Sequence, residues 1–65
     1  MEMRLPPKEK AEELCFKFQG DFHLNWTMAK RCALIAVDEI LDIAQYSGDK
    51  EYAYWQEVKN EIEKL

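Results

Sequence analysis

Cys15, His23 and Cys32 come first, because thiolate and imidazole are the common ligands of zinc and the common partners in nucleophilic catalysis. Their spacing supports neither chemistry. There is one histidine and no CxxC, and a zinc site needs several ligands at short, regular intervals. Each cysteine falls inside an apolar helical pattern, where burial raises the thiol pKa and lowers its reactivity. Both therefore read as small core residues, with no metal site and no disulfide expected.

The acids offer more. Glu9-x-x-Glu12 and Glu39-x-x-Asp42 each place two carboxylates on one helical face, and two such pairs on adjacent helices suit a Mg²⁺ ion held against phosphates. The pattern resembles the all-α nucleotide pyrophosphohydrolases of the MazG type, whose helices carry ExxE followed by ExxD. The resemblance covers little of the chain, and that family uses more helix than 65 residues supply unless subunits combine. Acid pairs at this spacing also arise on any solvated helix face, so a short motif of this kind carries a high false-positive risk. The expectation is a non-catalytic protein without a cofactor.

A third constellation is aromatic. Tyr and Trp join a large apolar area to a polar tip, which suits binding surfaces. Trp26, Tyr52 and Tyr54 could stack on a base, while Lys30 and Arg31 meet a phosphate. These five are the candidate ligand residues. Apart from that adjacent pair, the nine basic residues are dispersed, and the net charge is −4. No basic stripe marks a nucleic-acid polymer as a partner.

The elements that must position these groups are helical. The chain holds only two Gly and two Pro, so its elements are few and long. Pro7 suits a first helical position, and Ala11, Leu14, Cys15 and Phe18 recur on one face, which predicts a helix over 7–19 with Gly20 closing it. Phe22 and Leu24 should tuck under the connection, with Asn25 as N-cap of a long helix over 26–46. Ser47-Gly48 ends it, and Asp49 should cap a third helix over 50–64, where Trp55, Val58, Ile62 and Leu65 share a face. Lys59 with Glu63, and Glu61 with Lys64, are spaced to pair along that helix. The short Ser47-Gly48-Asp49 connection makes the last two helices antiparallel. The whole chain, 1–65, reads as one all-α domain: a three-helix bundle, or helical hairpin with a short N-terminal helix, completed by oligomerisation.

Oligomerisation is expected from an excess of apolar surface. The middle helix carries one stripe of Met28, Ala29, Cys32, Ile35, Ala36, Ile40 and Ile43, and a second of Leu34, Val37, Leu41 and Ala44. A surface helix of a monomer normally needs one stripe. Met1, Met3 and Leu5 are available to cover part of the second, and Leu34, Val37, Leu41 and Ala44 are the expected interface with another subunit or a partner. No segment has the length of a membrane span or the apolar core of a signal peptide, so a cytoplasmic setting without a membrane partner is expected.

Two segments, Ala29-Lys30-Arg31-Cys32-Ala33-Leu34-Ile35-Ala36-Val37-Asp38-Glu39-Ile40 and Tyr54-Trp55-Gln56-Glu57-Val58-Lys59-Asn60-Glu61-Ile62-Glu63-Lys64-Leu65, resemble small proteins of phages and prophages of Bacteroidetes bacteria. That group has no established activity, so the resemblance implies a setting and carries over no functional residue. In that setting small accessory proteins often act by binding. The expected function is counter-defence in the host cell cytoplasm, by sequestering a cyclic nucleotide between subunits of a homo-oligomer. The alternative is an inhibitor that docks on a host defence protein.

Overall fold

In the computed structural model, residues 4–65 are described. They form three helices: α1 (Pro7–Phe22), α2 (Trp26–Ala44) and α3 (Asp49–Lys64). Each helix packs against both others, so the all-α three-helix bundle expected from the spacing is the observed fold. No strand occurs among the described residues.

The helix ends follow local chemistry. Pro7 opens α1 at the position where its missing N–H goes unused. The helix does not stop at Gly20. It runs through to Phe22, whose ring stacks on Phe18 one turn earlier at a centroid distance of 6.0 Å. His23 then adopts the left-handed conformation, at φ 54, that a helix C-terminus usually gives to glycine. Phe22 is accordingly exposed on the last turn and not tucked beneath the connection.

Asn25 caps α2 as its sequence position requires, its Oδ1 accepting a hydrogen bond from the Met28 N–H at 2.8 Å. Asn25→Ala should cost about 1 kcal/mol of stability. A chemical-denaturation midpoint unchanged in the variant would show that another group satisfies that N–H.

α2 ends at Ala44, two residues before the expected limit. The Tyr46 and Ser47 N–H groups donate to Ile43 and Ala44 in a tighter turn, which ends the regular α ladder. Gly48 has φ 125 and ψ 162, a conformation open essentially to glycine alone. It occupies the N-cap position of α3, and no side chain caps the helix. Asp49 is the first helical residue, where with Glu51 it favours the positive end of the helix dipole.

The core consists of Ala11 and Cys15 from α1, Ala33, Val37 and Leu41 from α2, and Val58 and Ile62 from α3. Leu14, Phe18, Trp26, Leu34, Tyr54 and Trp55 pack around it. Leu65, the expected end of the α3 apolar face, is exposed. No polar or charged residue is buried among the described residues. Lys64 pairs with Glu61 as expected, but Lys59 reaches Asp38 of α2 at 3.0 Å instead of pairing within its own helix.

This core overturns one expectation. Val37, Leu41 and Ala44, read as an intersubunit stripe, are buried inside their own chain, and Leu34 packs against the same core. The reason is size. The face of α2 that enters the bundle carries Ala29, Ala33 and Ala44, whose short side chains let three helices approach closely. Val37 and Leu41 fill the space between those alanines, while Ile35 and Ile43 point the other way. Leu5 is exposed, and Met1 and Met3 lie outside the described residues.

Candidate docking face

α2 turns a second apolar face to solvent. Met28, Ile35 and Ile43 are 42%, 64% and 69% exposed, and Cys32, Ala36 and Ile40 lie half-buried beside them. These residues recur at intervals of three and four, which aligns them along the helix. One flank of the face carries Arg31, Asp38 and Asp42, and Glu39 lies on the face itself. Asp38 is taken by Lys59, whereas no ion pair is made by Arg31, Glu39 or Asp42 among the described residues.

At its C-terminal end the face opens into a groove of about 300 Å³ lined by Ile40, Ile43, Ala44, Ser47, Glu51 and Trp55. The α3 wall is fixed by hydrogen bonds. The Trp55 indole N–H donates to Glu51 Oε2 at 3.0 Å, and Arg4 Nη2 donates to Glu51 Oε1 at 2.6 Å. The same Arg4 lies over the Tyr54 ring, 4.4 Å from its centroid, and the Tyr54 hydroxyl donates to the Leu5 carbonyl at 2.6 Å. The segment before α1 is thereby strapped across α3 by three contacts that the sequence did not announce.

The strap should weaken in acid. The Glu51 carboxyl is held below its ordinary value, chiefly by the hydrogen bond from Arg4; Arg4's charge and the Trp55 hydrogen bond add to this, against partial desolvation. A carboxyl whose pKa falls on folding contributes stability above its unfolded-state pKa and loses it as pH drops through the folded-state value. NMR of the Trp55 indole should therefore report a titration midpoint below the ordinary glutamate value of 4.5. A midpoint at or above it would show that Arg4 does not hold Glu51.

The five candidate ligand residues are not brought together. Trp26 and Lys30 lie at the start of α2, whereas Tyr52 and Tyr54 lie in the first turns of α3, beside the far end of α2. A 19-residue helix separates those ends by roughly 28 Å. Trp26 also packs on the core and against Phe16, at a ring-centroid distance of 5.3 Å, and Tyr54 is engaged by the strap. Tyr52 and Arg31 are exposed, and Lys30 is half-buried. Among the described residues, Lys30 and Arg31 and the aromatic pair Tyr52 and Tyr54 therefore sit towards opposite ends of α2.

The other constellations are equally dispersed. No group of three or more His, Cys, Asp or Glu side chains converges to hold a metal ion among the described residues. Both cysteines are free; Cys15 is buried, with its thiol pKa pushed up by that burial. Cys32 departs from its expected core position and stands half-exposed on the open face of α2. No helix among the described residues is long and apolar enough to cross a membrane.

No protein-family model, curated protein or solved structure matches this chain.

Proposed function

We propose that this is a non-catalytic binding protein that works by docking the open face of α2 onto another protein surface. The observation that carries this reading is the exposure of Met28, Ile35 and Ile43 on a helix whose opposite side already forms the core. Apolar residues lined up along a helix bury well against a partner helix or groove. Isolated exposed apolar residues need no explanation, but an aligned row does. In the phage setting that the sequence resemblance implies, a host-protein inhibitor would work in this way. Sequestering a cyclic nucleotide asks for more, because facing ends of two chains would have to supply the pocket.

The test is a photo-crosslinking residue placed at Ile35, with a control at exposed Glu57 on α3, in cells that make the protein. The docking reading expects a protein adduct from position 35 well above that from position 57. Equal or absent adducts at the two positions would overturn it.

A further inference from the structure

We propose that the open face of α2 is closed by the same face of a second copy, with the two α2 helices antiparallel about a twofold axis. The inference rests on the docking reading and names its occupant.

An apolar row by itself fits many helices; the charges select this one. Arg31 and Asp42 are about three helical turns apart, which puts them on one flank of α2, towards opposite ends of the face. Both are exposed, and neither makes an ion pair among the described residues. Asp38, between them, is already paired with Lys59. When identical helices pack antiparallel about a twofold axis, like flanks meet and one sequence runs in reverse along the other. Arg31 of each copy then lies level with Asp42 of the other, so the contact forms twice. In a parallel twofold pair unlike flanks would meet, so Arg31 and Asp42 of one copy would both face the other flank of its partner and neither charge contact would form.

The apolar register agrees with the charge register. With Arg31 level with Asp42, the two Ile35 side chains lie within one turn of each other at the centre. Met28 of one copy comes beside Ile43 of the other, at the groove whose lining includes Ile40 and Trp55. Methionine is flexible enough to fill an irregular opening of that kind. Glu39, the acid on the face itself, also falls within one turn of Arg31 of the other copy. Antiparallel helices further set opposite dipole ends side by side.

The full chain is tested as two variants, Arg31→Glu and Asp42→Arg, studied alone and as an equimolar mixture. Native mass spectrometry and light scattering over a concentration series give the subunit number, and circular dichroism checks that each variant is helical. The wild type should dimerise as concentration rises. Each variant alone should dimerise at least about tenfold more weakly, because both symmetry-related contacts become repulsive. The mixture should recover a heterodimer at wild-type concentrations, since each altered flank then meets its complement. A wild type that stays a single subunit, a variant that dimerises normally by itself, or a mixture that yields no heterodimer would overturn the pairing. Crosslinking through position 35 to a different protein would remove the twofold pairing and leave the docking reading standing. No adduct at all would remove both.

Discussion

Val37→Asp should leave the chain largely unfolded. Val37 is fully buried near the centre of α2, among residues from all three helices, and no charge is buried among the described residues to pair with a carboxylate. An uncompensated ion in such a site costs several kcal/mol even after local relaxation. A domain of this length has on the order of 3–10 kcal/mol of total stability. The substitution therefore removes most or all of it, and far-ultraviolet circular dichroism should lose the helical signal. Native helicity and a cooperative melt close to wild type would show that Val37 faces solvent, and the packing described above would be wrong.

Ile35→Asp, two residues away, should do the opposite. Ile35 is mostly exposed, so the folded monomer should change by no more than about 0.5 kcal/mol. Association should suffer instead. Burying an isoleucine stabilises by about 1.5–3 kcal/mol, and a symmetric pair buries two. The dimer dissociation constant should rise by a factor of about 10² to 10⁴. Sedimentation equilibrium of both proteins checks this. An unchanged constant would take Ile35 out of the interface; a large loss of helicity would return it to the core.

The contrast between these neighbouring residues also shows what was legible in the sequence. That α2 has two apolar faces follows from composition and a 3.6-residue repeat, and both faces are present. Hydrophobicity alone does not say which face enters the bundle; the small side chains do, and they put Val37, Leu41 and Ala44 inside the chain instead of at an interface. Ile35 and Ile43 look like core residues by type, yet the bundle admits the Ala29–Ala33–Ala44 side, where helices can approach. Alanines spaced by whole turns, at 29, 33 and 44, are the available signal.

Caps were legible where one side chain decides them, as at Asn25, and misplaced where the backbone does. Gly20 lies within α1 because Phe22 gains a stacked contact by extending it. The Arg4–Glu51–Tyr54 strap joins residues at least 47 positions apart, and no local pattern announces such a contact. The five candidate ligand residues are parted within one chain for a similar reason: an antiparallel hairpin sets Trp26, Lys30 and Arg31 towards one end of α2 and Tyr52 and Tyr54 towards the other.

Hydroxyl-radical footprinting at two protein concentrations, read residue by residue along α2, measures both faces at once. In dilute solution Met28, Ile35 and Ile43 should be oxidised while Leu41 and Val37 are protected, and raising the concentration should extend protection to the first three alone. Oxidation of Leu41 and Val37 in dilute solution, with Ile35 and Ile43 protected throughout, would contradict the account at its foundation.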